Sequence, residues 1–92
     1  MGYHVEFTSS AFRSLKRLDP QHRKIILSYI RTTLDGCLNP RTIVGGRSLK
    51  GTENGWRWRV GSYRILGRIQ DDVVEIELFR IGHRRDVYEN LP

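Results

Sequence analysis

Apolar residues follow a strand-like period at the start of the chain and a helical period immediately afterwards. Residues 3–8 alternate between apolar and polar, which predicts a short strand. One face of this strand would carry Tyr3, Val5 and Phe7. Ser9 or Ser10 then precedes apolar residues at helical spacing, so we predict a first helix capped by one of these serines. The apolar side of this helix would consist of Ala11, Phe12, Leu15 and Leu18.

A second helix is predicted from Pro20 to about Leu34. Asp19 suits the helix cap and Pro20 the first helical position, while Gly36 marks the end. Apolar residues recur every fourth position along this segment, at Ile26, Ile30 and Leu34, and Tyr29 lies beside them. Because the connection between the two helices is short, we expect them to pair antiparallel.

The second half of the chain has a period of two. Residues 37–55 form a loop-like stretch in which the sequence does not decide whether a short extra turn or strand is present. Gly61-Ser62 and Asp71-Asp72 are typical of two-residue turns, so we predict a meander of three strands, at residues 56–60, 63–69 and 73–81. The whole order predicts a single α+β domain over residues 1–92. It would be an antiparallel sheet with a helical hairpin packed on one face.

The two predicted turns set a register between the three strands of the meander. Across the first turn, Arg59 faces Arg64. Across the second turn, Arg64 faces Phe79, and Arg68 faces Glu75. The helix face would then hold Trp56, Trp58, Val60, Tyr63, Ile65, Ile69, Val74, Ile76 and Leu78. The opposite face, left bare by the helices, would hold Arg57, Arg59, Arg64, Leu66, Arg68, Glu75, Glu77 and Phe79.

Composition limits the class of protein. The chain has 92 residues and a hydrophobic content of 38%, which predicts one small folded domain rather than a disordered tail. No apolar run is long enough to span a membrane, and the N-terminus lacks the pattern of a signal peptide, so we expect a soluble cytoplasmic protein with no membrane partner. Cys37 is the single cysteine, which excludes an internal disulfide, and no Cys/His spacing predicts a bound metal.

Charge indicates a polyanionic partner. The formal net charge is +6, and 13 of the 16 basic residues are arginine, whose planar guanidinium binds phosphate in a bidentate manner. Residues 37–70 carry seven basic side chains and one acidic side chain, so the middle of the chain is the electrostatic centre. We therefore expect a nucleic acid to contact this segment.

Three arginines of the predicted open face are the candidate centre of a site. Arg59 and Arg64 are like charges directly opposite each other, which destabilises a sheet unless function compensates. We interpret Arg57, Arg59 and Arg64 as a triad that binds a phosphate group. The alternative is a solvated strand face on which the arginine stems cover apolar surface.

The loop after the last strand adds four candidates that we expect to reach this triad: His83, Arg84, Arg85 and Tyr88. A histidine transfers protons near neutral pH, an arginine stabilises a charged transition state, and a tyrosine stacks on a base or shares a proton. The alternatives are a surface histidine, arginines paired with Asp86 or Glu89, and a tyrosine that docks on the sheet.

Three segments in series closely resemble the RelE branch of the RelE/ParE toxin superfamily: residues 49–51 (LKG), residues 56–65 (WRWRVGSYRI) and residues 81–88 (IGHRRDVY). The resemblance covers the whole chain and implies the same fold. It also implies the toxin of a type II toxin–antitoxin pair that cleaves mRNA in the ribosomal A site. In that family the 2′-hydroxyl of the RNA is the nucleophile, the product is a 2′,3′-cyclic phosphate, and no metal or cofactor is needed.

The resemblance also assigns roles by position. The two basic residues of the family's second strand fall on Arg57 and Arg59, and the arginine of the next strand falls on Arg64. The C-terminal arginine falls on Arg84 or Arg85, and the tyrosine on Tyr88. The best-known members carry lysine in the second strand. Because arginine does not lose its proton, the acid or base role shifts by hypothesis to His83 with Tyr88.

The implied partners are a cognate antitoxin with an acidic segment, the 70S ribosome with its 16S rRNA, and mRNA. Residues expected to contact RNA are Arg13, Arg17, Arg23, Arg31, Lys50 and Arg68. The alternative function is that of a ParE-like toxin, which inhibits DNA gyrase without catalysis. A third reading is a degenerate member that binds only an antitoxin or nucleic acid.

Overall fold

A computed structural model describes residues 2–89, which form one five-stranded sheet with two helices against one face. The strands are β1 (His4–Phe7), β2 (Gly46–Ser48), β3 (Gly55–Val60), β4 (Tyr63–Gln70) and β5 (Glu75–His83). The helices are α1 (Ser9–Arg17) and α2 (Pro20–Tyr29), followed by a π-helical turn (Ile30–Leu34) and a 3-10 turn (Pro40–Thr42). The predicted α+β class and element order are confirmed, and β2 is the extra strand that the sequence left undecided.

The order of strands in the sheet is β1-β5-β4-β3-β2. β2 to β5 are antiparallel neighbours, whereas β1 runs parallel to β5, so the expectation of a wholly antiparallel sheet is wrong at this edge. The cause is topological. β1 pairs with the last strand of the chain, and the two helices intervene before the meander begins.

Side chains at the helix starts account for the positions of the helices. The cap of α1 is Thr8, not one of the predicted serines, because Thr8 Oγ1 accepts a hydrogen bond from the Ala11 N–H at 3.1 Å. Asp19 caps α2 as predicted, accepting from the N–H groups of Gln21 and His22. No helix within residues 2–89 is long and apolar enough to cross a membrane.

The main core lies between the helices and the sheet. Its fully buried members include residues from both layers: Ala11, Ile26, Leu34, Trp58, Ile65, Ile69, Ile76 and Leu78. Trp58 is fully buried and its Nε1 donates to the Pro40 carbonyl at 3.0 Å, which satisfies the polar end of the ring. Trp56 packs against the same core. The assignment of both tryptophans to the core is confirmed.

The predicted register of the meander is confirmed across the first turn and is wrong across the second. Arg59 faces Arg64 as predicted. On β5, however, Arg64 faces Gly82 rather than Phe79, and Arg68 faces Glu77 rather than Glu75. The second turn spans four residues, 71–74, and a bulge between Leu66 and Gly67 shifts the pairing again.

Close packing explains the glycine at the bulge. A Cβ atom on Gly67 would lie 3.0 Å from the Glu77 carbonyl oxygen and 3.0 Å from a methyl group of Leu78. A side chain would be crowded there, which favours glycine, and the bulge forms where β4 comes this close to β5.

The face opposite the helices is not bare. A second apolar cluster, formed by Leu49, Leu66, Phe79 and Val87, is buried on it. Val87 reaches this cluster because the chain folds back after β5, and a Cβ atom on Gly82 would lie 3.6 Å from Val87. Val74, predicted to lie in the core, is instead 41% exposed in the second turn, with a positive φ of 52°.

The turn between β4 and β5 is tied to the N-terminus and to the loop before β2. Asp71 accepts a hydrogen bond from the Tyr3 hydroxyl at 2.7 Å and a bidentate pair from Arg41 at 3.0 Å. The Arg41 guanidinium, helped by the Tyr3 hydroxyl, holds the pKa of the Asp71 carboxyl below its ordinary value. This contact joins three segments at the end of the sheet remote from the Gly61–Ser62 turn.

Candidate functional site

Six arginines lie on the face opposite the helices, and we call this surface the arginine face: Arg47, Arg57, Arg59, Arg64, Arg68 and Arg80. They come from four neighbouring strands, β2 to β5. The second apolar cluster lies on the same face, where Arg68 contacts Phe79 and Arg80 contacts Val87. A rigid sheet therefore presents this charge.

The arginine face contains two like-charge pairs. Arg47 faces Arg57 across β2 and β3, and Arg59 faces Arg64 across β3 and β4. Directly opposed residues have Cβ atoms about 4.5–5.5 Å apart. Among residues 2–89, the guanidinium groups of Arg47, Arg57 and Arg59 have neither a hydrogen bond nor an ion pair. Their charge is therefore open to an anionic ligand.

Two other members of the arginine face already have partners. Arg68 contacts Glu77 at 3.5 Å and lies over the Phe79 ring, with its central carbon 4.4 Å from the ring centroid. Arg80 donates to the backbone carbonyls of Val87, at 3.3 Å, and Glu89. These contacts make Arg68 and Arg80 part of the packing around the apolar cluster.

The Gly61–Ser62 turn holds Arg64 in a fixed position. Nη1 of Arg64 donates to the Gly61 carbonyl at 3.1 Å and to the Tyr63 carbonyl at 3.0 Å. Gly61 has a positive φ of 59°, which permits the tight turn. A guanidinium has five N–H donors, so Arg64 is oriented through one nitrogen and keeps the others for a ligand.

The C-terminal turn, residues 84–89, brings Arg84 beside this hairpin turn. The Arg84 N–H donates to the Ser62 carbonyl at 2.8 Å, and Val87 anchors the segment in the second apolar cluster. The side chains of Arg84 and Arg85 are exposed, and within residues 2–89 neither forms an ion pair with Asp86 or Glu89. Tyr88 is 39% exposed.

His83 ends β5 on the helix face of the sheet, whereas the arginine triad lies on the opposite face. It stands opposite Tyr63, with ring centroids 5.6 Å apart, whereas its neighbour Gly82 stands opposite Arg64. The bulge causes this difference because it changes which residues of β5 point to each face. The Nδ1 atom of His83 accepts a hydrogen bond from the Arg85 N–H at 3.2 Å.

The other residues predicted to contact RNA are spread over the molecule. Arg13 and Arg17 line a cleft of about 490 Å³ between α1 and the end of β5, together with His83. Arg31 and Lys50 are exposed elsewhere. Arg23 is engaged within the fold, because its Nη2 donates to the Leu18 carbonyl at 3.0 Å and so caps the end of α1.

Sequence reasoning missed Arg47 and Arg80. Arg47 lies on β2, which the loop-like composition of residues 37–55 concealed. Arg80 joins the arginine face because of the bulge in the β4–β5 ladder, which coincides with a change of phase in the apolar alternation of β5 between Leu78 and Phe79.

The arrangement suits the binding of phosphate and the stabilisation of negative charge. Bidentate guanidinium groups bind phosphate oxygens, and fixed donors stabilise charge that develops in a transition state. Arginine does not act as a base, because it remains protonated. Among residues 2–89, no three His, Cys, Asp or Glu side chains are grouped in a way that would hold a metal ion.

Comparison with known proteins gives matches over nearly the whole chain. Residues 5–88 match the family of ParE toxins of type II toxin–antitoxin systems. The chain is 34% identical to the toxin RelG of Mycobacterium tuberculosis over 89 residues, which cover 96% of this chain and 98% of that protein.

Solved structures agree with these matches. The toxin–antitoxin complex RelBE2 of Mycobacterium tuberculosis contains a chain that is 27% identical, with a TM-score of 0.76, covering 91% of this chain and 100% of that one. A RelB–RelE complex from Methanococcus jannaschii is also 27% identical, with a TM-score of 0.60 and coverage of 94% and 98%. The resemblance inferred from the sequence is confirmed. The chain belongs to the RelE/ParE superfamily and is a toxin of a type II toxin–antitoxin system.

Proposed function

We propose that this toxin is a ribosome-dependent endoribonuclease that cleaves mRNA in the ribosomal A site. The observation that carries the proposal is the two opposed like-charge pairs on the arginine face, Arg47–Arg57 and Arg59–Arg64, which no carboxylate of residues 2–89 neutralises. Such contacts lower stability, and a phosphate ligand would offset that cost. Similarity to RelG and to RelE chains supports the same activity.

In the proposed reaction the 2′-oxygen of the RNA attacks the adjacent phosphorus atom. The bond from phosphorus to the 5′-oxygen of the next nucleotide breaks, leaving a 2′,3′-cyclic phosphate and a 5′-hydroxyl. A water molecule accepts the proton of the 2′-hydroxyl, and water donates a proton to the departing 5′-oxygen. Arg59 and Arg64 would hold the phosphate and stabilise the extra charge of the pentacoordinate state.

Arg84 and Tyr88 would complete the site. The hydrogen bond from the Arg84 N–H to the Ser62 carbonyl keeps Arg84 beside the turn that orients Arg64, so its guanidinium is well placed for a further phosphate oxygen. Tyr88 is partly exposed on the same C-terminal turn and would stack on a base of the codon.

His83 has a different role in this proposal from the one expected from the sequence. It lies on the helix face, and its Nδ1 is occupied by the Arg85 N–H, so it would position the C-terminal turn rather than transfer the proton. His83→Gln, whose amide oxygen can accept the same hydrogen bond, should keep most of the activity and the wild-type pH profile, whereas His83→Ala should lose activity. A folded His83→Gln variant without cleavage would restore His83 to the chemistry.

The proposed partners follow from the charge. A cognate antitoxin would cover the arginine face with an acidic segment, in line with the antitoxin complexes formed by the similar toxins. Arg13, Arg17, Arg31 and Lys50 would contact phosphates of 16S rRNA when the toxin enters the 70S ribosome. A ribosomal target implies that the toxin acts in the cytoplasm.

Inhibition of DNA gyrase is the second candidate function. The observation in its favour is the match of residues 5–88 to toxins described as ParE. A gyrase inhibitor has no chemical need for unneutralised arginine pairs aligned on one face, which is why we favour RNA cleavage.

One set of assays separates the two functions. The purified toxin is incubated with mRNA-programmed 70S ribosomes, with the same mRNA alone and with gyrase and relaxed plasmid, and the new 5′ ends of the mRNA are mapped. We expect cuts within the A-site codon only when ribosomes are present, and normal supercoiling by gyrase. Inhibited supercoiling without A-site cuts would overturn the proposal.

A further inference from the structure

Strand β2 adds a second pair of opposed arginines to the sheet edge. Arg47 stands directly opposite Arg57, and Gly46 and Ser48 pair with Trp58 and Trp56 on either side of it. Arg47 is exposed, and within residues 2–89 its guanidinium has no hydrogen-bonding or ionic partner. Two adjacent positive charges, one on β2 and one on β3, therefore lack compensation within the described residues, and their repulsion lowers stability.

The edge strand that carries Arg47 is held firmly. The Gly46 N–H donates to the Ile43 carbonyl and the Leu49 N–H donates to the Gly55 carbonyl, each at 3.0 Å. Gly46 also packs so closely on Trp56 that an added Cβ would lie 2.8 Å from the indole nitrogen. Arg47 thus starts from a fixed backbone position, which lowers the entropic cost of binding a ligand.

The spacing along β3 relates this pair to the proposed scissile-phosphate site. Arg57 and Arg59 lie on the same face, two residues apart, so their Cα atoms are separated by about 6.6 Å. This separation is comparable with that between consecutive phosphates of an extended RNA strand. Arg57 of the first pair and Arg59 of the second are therefore spaced like two neighbouring phosphodiesters.

We infer that Arg47 and Arg57 form a second phosphate-binding site, so that the toxin holds two consecutive phosphodiesters of single-stranded RNA along β3. The inference rests on the proposed function, because it assigns the cleaved phosphate to Arg59 and Arg64. It adds to that function a positioning residue, Arg47, which binds the phosphate next to the one that reacts.

A binding experiment without cleavage tests this inference. Fully 2′-O-methylated oligonucleotides lack the nucleophile, and a trinucleotide carries two phosphodiesters where a dinucleotide carries one. Titrations followed by NMR chemical shifts give the affinity of each. For the wild-type toxin we expect the trinucleotide to bind about tenfold more tightly than the dinucleotide, because one further charge-assisted hydrogen bond provides about that gain in affinity.

The variants give the decisive comparison. Arg47→Gln should remove the tenfold advantage of the trinucleotide, whereas Lys24→Gln, which removes an exposed charge from α2, should preserve it. Arg47→Gln should also lower the dependence of trinucleotide affinity on salt by about 0.7 in log–log slope, the value for one phosphate contact on a single strand.

Two outcomes would overturn the inference: an unchanged trinucleotide advantage in Arg47→Gln, or equal losses in Arg47→Gln and Lys24→Gln. Neither depends on catalysis. Failure of the proposed function is recognised separately, as the absence of ribosome-dependent cuts by the wild-type toxin, so the two failures are distinguishable.

Discussion

Arg59 and Arg64 face each other on β3 and β4, and neither guanidinium meets a carboxylate within the described part of the chain. Arg64 instead donates to two backbone carbonyls of its own hairpin turn, so its charge is oriented but not neutralised. The same sheet does form a compensated contact elsewhere, between Arg68 and Glu77. The contrast supports the proposal that Arg59 and Arg64 stand opposite each other to bind a phosphate rather than to stabilise the sheet.

Removal of one charge from this pair should stabilise the fold. Arg59→Gln is the cleaner variant because the Arg59 side chain is exposed and makes no hydrogen bond to the described residues that would be lost. We expect its free energy of unfolding, measured by urea denaturation, to rise by about 0.2–1 kcal/mol. Lys24→Gln should change the free energy of unfolding less. An Arg59→Gln variant that is less stable than the wild type would contradict the account.

Val87 should anchor the C-terminal turn to the sheet. It is 2% exposed in the second apolar cluster, so Val87→Ala should lower the free energy of unfolding by about 1–3 kcal/mol. Because Arg84 lies in the same turn, cleavage of mRNA on ribosomes should fall further than the unfolded fraction accounts for. Val44, which is 90% exposed, provides the control: Val44→Ala should leave both measurements unchanged.

Val74 should be a strained position. It is a β-branched residue with a φ of 52° in the turn before β5, and it is largely exposed, so a change of side chain loses little packing. Val74→Asn should raise the free energy of unfolding by about 1 kcal/mol, since asparagine adopts this conformation readily. Asn54 has a φ of 57°, so Asn54→Val should show the opposite sign. A lower free energy of unfolding for Val74→Asn would contradict the proposed strain at this position.

Acid should weaken the fold through Asp71 and Asp19. The pKa of Asp71 is lowered by its hydrogen bonds from Arg41 and Tyr3, and that of Asp19 by His22 and nearby N–H groups. A carboxyl with a lowered pKa binds its proton more readily in the unfolded chain than in the folded one. Its contribution to the free energy of unfolding is therefore present above about pH 4 and is lost as the pH falls further.

Asp71→Asn isolates the larger of these networks. The variant should be less stable than the wild type at pH 7, and the difference should shrink towards pH 2, as followed by urea unfolding at each pH. A difference in stability between the variant and the wild type that stays constant down to pH 2 would show that the Asp71 charge does not contribute to stability.

Local signals predicted the parts of the fold that depend on neighbouring residues. The pair Gly61-Ser62 was enough to pair Arg59 with Arg64 and to assign Trp58 to the core. Asp19 and Pro20 likewise placed the start of α2. In each case a turn or cap is determined by a few adjacent side chains, and the rest follows from strict alternation along the strand.

Long-range packing determined the features of the fold and of the candidate site that sequence reasoning missed. The bulge at Gly67 depends on how closely β4 approaches β5, and a glycine within a strand only suggests a bulge without fixing the pairing across it. It moved Gly82 opposite Arg64 and left His83 on the helix face, and so changed the expected role of the histidine. The position of Arg47 required β2, whose three residues are too few to show a period.

The most direct test of the central claim compares wild-type toxin with Arg59→Gln in the cleavage of mRNA on programmed 70S ribosomes. We predict that the wild type cuts within the A-site codon and leaves a 2′,3′-cyclic phosphate. Arg59→Gln, although at least as stable, should cut about a hundredfold more slowly, the usual cost of losing one donor to transition-state charge. Lys24→Gln should match the wild type. Equal cleavage rates for Arg59→Gln and wild type would contradict the account.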